Sequence, residues 1–143
     1  MNDKKYESLK LCNQLCFPLY AAARRVVALY APFLKPLGLT YTQYITFMVL
    51  WEQGSVTVGE LGKRLFLDNG TITPLLKKME RSGFVTRTRS TEDERVVIIQ
   101  ITEKGMAMKE KCKDIPKSIG GCIRLEPEAA ASLYEMLYSI IEN

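Results

Sequence analysis

The chain has 143 residues, a formal net charge of +4 and no histidine. Apolar residues make up 47% and charged residues 25%, ordinary values for a globular protein that buries one core. No apolar run reaches the roughly 18 residues that span a bilayer, and the N-terminus lacks a secretory leader, so we expect a cytoplasmic protein with no membrane partner.

Enzyme chemistry is poorly supported by the sequence. The lack of histidine excludes an imidazole base, and the four cysteines include no CxxC pair, so we expect no metal site. No nucleophile elbow, phosphate-binding loop or dinucleotide fingerprint is present. We therefore expect neither catalytic residues nor a cofactor.

The N-terminal part predicts two helices. Apolar residues recur at helical spacing from Leu9 to Tyr30, which indicates one amphipathic helix. The stretch APFLKPLGLT, residues 31–40, holds two prolines and a glycine and predicts a linker or broken turn. Thr40 can cap a helix over 41–53 that is apolar on most of its surface, so we expect this helix to be central.

Two short helices follow. SVTVGELGKRLFLD predicts a short strand or turn and then a helix from about Val58. In GTITPLLKKMERSG, Asn69 or Thr71 can cap the second helix, Pro74 lies in its first turn and Gly83 ends it. Its apolar residues face inward, which leaves these polar side chains outward: Thr71, Thr73, Lys77 and Lys78.

A hairpin and two further helices complete the chain. FVTRTRS and RVVIIQIT are β-rich runs joined by TEDE, which indicates a hairpin with a polar tip. EKGMAMKEKCKDIPKSI and PEAAASLYEMLYSIIEN are helical stretches separated by GGCIRLE. The predicted fold class is mainly α with a small β-hairpin wing (α+β).

Two short helices followed by a hairpin are typical of a winged helix-turn-helix domain. Its second helix has the size to enter the major groove of DNA, and the hairpin can reach the adjacent minor groove or backbone. The alternative is a solvated surface of mixed charge, since acids accompany the bases. The candidate DNA-binding residues are Thr71, Thr73, Lys77 and Lys78 on the helix, and Arg87, Arg89 and Arg95 around the hairpin.

Cys16 lies in the stretch NQLCFPLY. A cysteine on an apolar helical stripe is usually a small buried hydrophobe. Pro18 is tolerated in the first turn of a helix, so a helix that begins near Asn13 or Gln14 places Cys16 where the helix dipole favours a thiolate. Tyr20 follows one turn later on the same face and can donate a hydrogen bond to a sulfur anion. Both interpretations stay open on these residues alone.

The long pattern DxGTxTPLLKxMExxGxxxRxRSxEDER, within LTYTQYITFMVLWEQ through to TEKG, resembles the MarR family of winged-helix repressors. With NQLCFPLY in front, the sequence is similar to the OhrR-type organic hydroperoxide sensors over roughly residues 8–141. We accordingly expect a single domain over 1–143. Its winged helix-turn-helix lobe spans 40–102, and its dimerisation helices span 8–35 and 103–143.

The resemblance implies a homodimer that represses by binding double-stranded operator DNA and leaves it when an organic hydroperoxide oxidises a sensor cysteine. Cys16 matches that cysteine. Asp93 matches a residue that orients the wing, and Arg95 one that enters the minor groove. One family branch uses a small thiol to complete the reaction, and the other uses a resolving cysteine in the region of Cys122. The thiolate-binding tyrosines implied, some from the partner chain, are Tyr20, Tyr30 and Tyr41.

Other functions stay open. A MarR-type repressor responding to a small aromatic ligand would bind it between the dimerisation helices and the winged lobe, and an electrophile could react with Cys16 instead. A thiol peroxidase is disfavoured by the lack of histidine and of an arginine near Cys16, and a non-DNA adaptor by the basic winged segment. Cys112, among lysines, would have a lowered pKa if exposed. Cys12 is predicted to pack on the apolar stripe.

Overall fold

The computed structural model describes residues 3–143. The predicted mainly helical α+β class is confirmed, with seven α-helices and three strands in this range. None of the described helices is long and apolar enough to cross a bilayer. In chain order the elements are α1 Cys16–Leu34, α2 Tyr41–Gln53, β1 Ser55–Thr57, α3 Val58–Leu65, α4 Asn69–Arg81, β2 Val85–Arg89, β3 Val97–Ile101, α5 Glu103–Cys112, α6 Ile115–Cys122 and α7 Pro127–Ile141.

The N-terminal helix starts later than the apolar pattern predicts. A single helix from Leu9 is wrong, because short 3-10 helices over Asp3–Leu9 and Leu11–Asn13 precede α1. Proline has no backbone N–H and fits only where the helix needs none, so Pro18 belongs in the first turn and α1 begins at Cys16.

The predicted linker over 31–40 is wrong in its first half. α1 continues through Pro32 and ends at Leu34, and a 3-10 turn over Lys35–Leu37 follows directly. The chain then reverses at Gly38, whose φ of 70° is in the left-handed region that favours glycine. Pro32 therefore does not end α1, although a proline in the sequence usually predicts that a helix ends before it.

The central position predicted for α2 is confirmed. Its first turn is closed by a capping box, in which the Thr40 hydroxyl accepts from the Gln43 amide and the Gln43 side chain accepts from the Thr40 amide. Its inner face joins the other elements of the lobe in one apolar core, whose fully buried side chains include Tyr44, Phe47, Leu50, Leu61, Ile72, Leu76, Met79 and Ile99.

The sheet has three antiparallel strands in the order β1-β3-β2. The predicted hairpin corresponds to β2 and β3, and the short strand or turn predicted before Val58 is the strand β1, whose Val56 lies opposite Ile99 of β3. The N-caps predicted for α4, Asn69 or Thr71, are wrong, whereas Gly83 follows the end of the helix with a φ of 79°, as predicted. Asp68 is its N-cap and accepts a hydrogen bond from the Thr71 amide at 2.8 Å, so Pro74 lies in the second turn.

The C-terminal part contains three helices rather than two. α5 ends at Cys112, and Pro116 opens the separate helix α6. Gly120 and Gly121 lie in α6 instead of in the loop that GGCIRLE predicts, and the helix ends at Cys122. α7 has no buried residue, and its Tyr138 ring lies 6.4 Å from that of Phe66.

Candidate functional site

The outward face of α4 is polar because its apolar residues are committed to the core. Ile72, Leu76 and Met79 are buried at helical spacing. On the opposite side Thr71, Lys77 and Lys78 are exposed, whereas Thr73 is half-buried and faces the wing instead of open solvent. The helix thus presents hydroxyl and ammonium groups on one surface.

A cleft of about 430 Å³ separates α4 from the wing. We call it the wing cleft. Asn69 and Thr73 line it from α4, Arg87 and Arg95 from the wing, and Thr57 from the cap of α3. None of the residues that line it is acidic. The N-terminal turn of α3 also borders it, but the Glu60 carboxylate already caps this turn by accepting from the Thr57 amide and hydroxyl.

The wing tip is held by charged side chains. Arg95 donates from Nε to Asp93 Oδ1 and from Nη2 to Asp93 Oδ2, each at 3.1 Å, and its backbone amide bonds the same carboxylate. These side-chain and backbone hydrogen bonds lower the pKa of Asp93. Arg89 donates from Nη1 to the Glu94 carbonyl at 2.8 Å and closes the turn. The Arg95 side chain remains 91% exposed.

Arg87 differs from these two arginines. Its side chain is only 24% exposed, and its Nε lies 3.8 Å from Glu80 Oε2 on α4. That Nε is buried and has no hydrogen-bond partner among the described residues. The nearest carboxylate is too distant for a hydrogen bond, so the pair is a loose ionic contact.

Cys16 is an exposed free thiol at the first residue of α1. The neighbouring Leu15 is 81% exposed, so the apolar surface around Cys16 is uncovered in the single chain. Tyr20 lies one turn on, also exposed, with the Arg24 guanidinium 5.5 Å from its ring centroid. Cys12 is exposed as well, and its predicted packing is wrong within one chain.

The other two predicted tyrosines lie elsewhere. Tyr30 and Tyr41 have ring centroids 4.8 Å apart, and Tyr44 joins them at 5.6 Å from Tyr30. Burial raises the pKa of all three phenols, to about 12 for Tyr44. Tyr30 shares α1 with Cys16, but at about 1.5 Å per residue they stand roughly 21 Å apart along the helix axis.

One chain therefore brings Cys16 to Tyr20 only. Tyr44, which the sequence analysis missed, follows Tyr41 by three residues on α2, and that spacing was the available signal. Any contact of Cys16 with Tyr30 or Tyr41 requires a second copy of the chain.

The remaining cysteines separate by burial. Cys122 is exposed at the end of α6, whereas Cys112 is buried against α2. Burial raises the pKa of the Cys112 thiol, so the condition for the lowered pKa, an exposed thiol among lysines, is not met. In residues 3–143 no group of potential ligands could hold a metal ion.

A second cavity, of about 350 Å³, lies between α2 and the α5–α6 junction. Tyr44, Met48, Trp51 and Cys112 form an apolar wall, and Lys109 and Lys113 stand among the lining residues. Sequence reasoning placed a possible ligand pocket in this part of the molecule without identifying its residues.

A polar-faced helix of this size, packed beside an arginine-tipped hairpin, defines the winged helix-turn-helix class of DNA-binding proteins. The family model of the transcriptional regulator SarA/Rot matches residues 28–112. The chain belongs to that family of MarR-like winged-helix regulators, as the sequence predicts.

Two relatives extend this result over the whole chain. The organic hydroperoxide resistance transcriptional regulator of Bacillus subtilis strain 168 is 46% identical over 141 residues, covering 99% of this chain and 96% of the relative. AbfR of Staphylococcus epidermidis, in its reduced form bound to DNA, is 34% identical with a TM-score of 0.79, covering 98% of this chain and 97% of AbfR.

A third comparison concerns another state of AbfR. Its disulfide-formed structure is 35% identical and covers 99% of both chains, but the TM-score is 0.65. The Bacillus subtilis relative is a transcriptional regulator, and AbfR is seen bound to DNA. The chain is a DNA-binding transcriptional regulator rather than an enzyme, as predicted.

Proposed function

We propose that the protein is a homodimeric repressor that leaves operator DNA when an organic hydroperoxide oxidises Cys16. The observation that carries this proposal is an exposed free thiol in the first turn of α1, with Tyr20 one turn away. The name of the Bacillus subtilis relative supports the choice of oxidant. We place this repressor in the cytoplasm, where its operator DNA is located.

DNA binding is assigned to α4 and the wing. In this proposal α4 enters the major groove, where threonines contact base edges and lysines hold phosphate. Arg95 reaches the minor groove with its guanidinium oriented by Asp93. The proposed set is Thr71, Thr73, Lys77 and Lys78 on α4, with Arg87, Arg89, Asp93 and Arg95 on the wing.

Dimerisation is assigned to residues 8–35 and 103–143, which flank a winged lobe over 40–102. Exposed large apolar side chains concentrate in the two flanking segments, with Tyr6 and Phe66 the exceptions among the described residues. Large exposed apolar patches mark interaction surfaces. A second copy seated there also supplies Tyr30 and Tyr41 to the partner's thiol, which the chain's own geometry cannot do.

The chemistry begins with the Cys16 thiolate. Its sulfur attacks the peroxide O–O bond, so an S–O bond forms, the O–O bond breaks and the alcohol leaves after taking up a proton. Cys16 is oxidised to a sulfenic acid while the hydroperoxide is reduced. Oxidation removes the sulfur anion that the tyrosine hydroxyls bind, and the helices that space the two winged lobes then shift.

Cys122 of the partner chain is proposed to complete the reaction. Its thiol attacks the Cys16 sulfenic sulfur, an S–S bond forms and water leaves. The exposure of both thiols supports this role, whereas the buried Cys112 is poorly placed for it.

One second candidate is favoured by a specific observation. The cavity bounded by Tyr44, Met48 and Trp51 has apolar walls, and charged side chains of both signs, Lys109, Lys113 and Glu52, also line it, which suits a small aromatic ligand. In this alternative the ligand releases the DNA, and Cys16 has no part in sensing.

The decisive experiment combines non-reducing gel electrophoresis, intact mass and DNA-binding anisotropy, before and after an equimolar addition of cumene hydroperoxide. We expect the wild type to form a covalent dimer and lose DNA affinity. Cys16→Ser should bind DNA normally and ignore the oxidant. A mass gain on Cys16 without a covalent dimer would show that a small thiol, and not Cys122, reacts with the oxidised Cys16. Release of DNA by Cys16→Ser would overturn the sensor assignment and favour the ligand-responsive alternative.

A further inference from the structure

The contact between Glu80 and Arg87 contributes little to the stability of the fold. Arg87 Nε lies 3.8 Å from the Glu80 carboxylate, beyond hydrogen-bond range, and the Glu80 side chain is 47% exposed. Ion pairs this open contribute little to stability. The wing is joined to α4 by other means, including the hydrogen bond from the Phe84 amide to the Met79 carbonyl and the burial of Val85.

The arginine itself lacks a proper acceptor. A guanidinium offers five N–H donors, and a buried donor without a partner is energetically costly. Arg89 and Arg95 both donate hydrogen bonds within the wing, whereas the buried Arg87 Nε donates none among the described residues. Arg87 is thus a cation held near an anion but not saturated by it.

The surroundings of Arg87 favour a phosphate. Arg87 opens onto the wing cleft, whose lining includes Arg95 and the N-terminal turn of α3 but no carboxylate. Arginine forks match the geometry of phosphate oxygens. A duplex on α4 and the wing brings its backbone to this cleft.

We propose that Glu80 is an internal competitor for DNA phosphate, which holds Arg87 in the DNA-free protein until a backbone phosphate takes its place. The inference rests on the proposed DNA-binding face. Glu80 is then a positioning residue that acts through Arg87. It weakens binding to any duplex, because phosphate contacts are independent of base sequence.

The test is a double-mutant cycle on the full-length protein, with a fluorescently labelled duplex of mixed sequence and anisotropy at several salt concentrations. Glu80→Gln should bind about three- to fivefold more tightly at low salt. Its salt dependence should steepen by about one unit of log–log slope, because one more cation is free for phosphate. In an Arg87→Gln background, Glu80→Gln should gain no more than the control does.

The control is Glu110→Gln on α5, which removes a carboxylate paired with Lys113 outside the wing cleft. It changes net charge by the same amount, so it should leave affinity and slope nearly unaltered. Thermal melting checks the fold of each variant, and Glu80→Ala repeats the measurement with a different side chain.

The outcomes separate the two proposals. Weaker DNA binding by Glu80→Gln would mean that Glu80 stabilises the wing. An equal gain in affinity from Glu80→Gln in the Arg87→Gln background would mean that only the net charge matters. Either result overturns this inference. If Lys77→Gln, Lys78→Gln and Arg87→Gln all leave wild-type affinity intact, the proposed DNA-binding face itself fails.

Discussion

Arg95 is exposed to solvent, yet its orientation is restrained. Two hydrogen bonds to Asp93 hold the guanidinium against the carboxylate while the side chain stays 91% exposed. A restrained cation loses less side-chain entropy when it enters a groove. The Asp93–Arg95 pair therefore leaves the guanidinium accessible to DNA and holds it in one orientation.

Replacement of Arg95 by alanine should weaken DNA binding by about 1–3 kcal/mol, since a groove contact is lost. Anisotropy titrations at constant salt measure this change. Arg95→Lys is the matched variant, because it keeps the charge but not the two-pronged pairing with Asp93. Full affinity in Arg95→Ala would remove the wing tip from the interface.

Tyr20 should affect oxidation and not DNA binding. Tyr20→Phe removes the only predicted hydroxyl that lies one turn from Cys16 in the same chain, so we expect sulfenate formation to slow. Stopped-flow oxidation followed by mass spectrometry gives the rate. The Arg24–Tyr20 ring contact is retained in Tyr20→Phe, which makes it a test of the hydroxyl alone. An unchanged rate would argue against hydrogen bonding to the sulfur.

The sequence indicated Cys16 and Tyr20 from their spacing along one helix, and Asp93 and Arg95 from the family resemblance. The structure places the members of each pair close together, because neighbours in the chain are here also neighbours in space. The burial of Cys112 could not be predicted, since it depends on α2, which is remote in the chain.

At the scale of elements, α5 is joined to the lobe by an unusually close approach. The Trp51 indole donates from Nε1 to the Gly105 carbonyl at 3.0 Å. A Cβ at Gly105 would overlap the Phe84 carbonyl oxygen and the Ile101 side chain. No side chain can therefore be placed at this point without moving backbone.

Gly105→Ala should lower the free energy of unfolding by about 3 kcal/mol, because the overlap involves backbone that cannot relax by rotation. Urea unfolding followed by circular dichroism measures the loss. Gly59→Ala is the control: a Cβ there meets nothing within 4 Å, so it should be neutral or stabilising. Equal stability of the two variants would contradict the close packing.

The end of α6 is suited to unwinding. Gly120 and Gly121 directly precede Cys122, and an added Cβ at either meets no atom within 4 Å. Gly120→Ala with Gly121→Ala should therefore fold normally and stiffen the helix by about 1 kcal/mol per residue. We expect disulfide formation to slow while sulfenate formation keeps its rate, as quenched-flow mass spectrometry would show. Unchanged disulfide kinetics would mean that α6 delivers Cys122 without unwinding.

Helix and strand positions could be predicted from periodicity, and helix ends where a cap is evident: Thr40 opens α2 and the helix spans 41–53 as predicted. The starts of α1 and α6 depend on Pro18 and Pro116, each of which lies inside a stretch that predicts one longer helix. The segment of β1 was predicted only as a short strand or turn, because its pairing with β3 and the burial of Val56 involve partners far along the chain.

At the scale of the whole molecule, the winged lobe has a complete core while α1 and α7 do not. The fully buried side chains belong to α2, α3, α4 and the strands. α7 buries nothing within its own chain. One chain is thus sufficient to form the core of the lobe. The exposed apolar surfaces of the flanking helices are covered only by a second copy of the chain. This division explains why the fold class was predictable and the surroundings of Cys16 were not.

The length of α1 has a genetic consequence. Cys16 and the Tyr30–Tyr41 pair stand roughly 21 Å apart on one chain. Each sensor in the proposed dimer is therefore formed by residues from both copies of the chain. A Cys16→Ser allele and a Tyr30→Phe, Tyr41→Phe allele should each be unresponsive alone. Expressed together, they form mixed dimers with one intact sensor, and peroxide response should return in part. Failure of such alleles to complement would show that each chain senses alone.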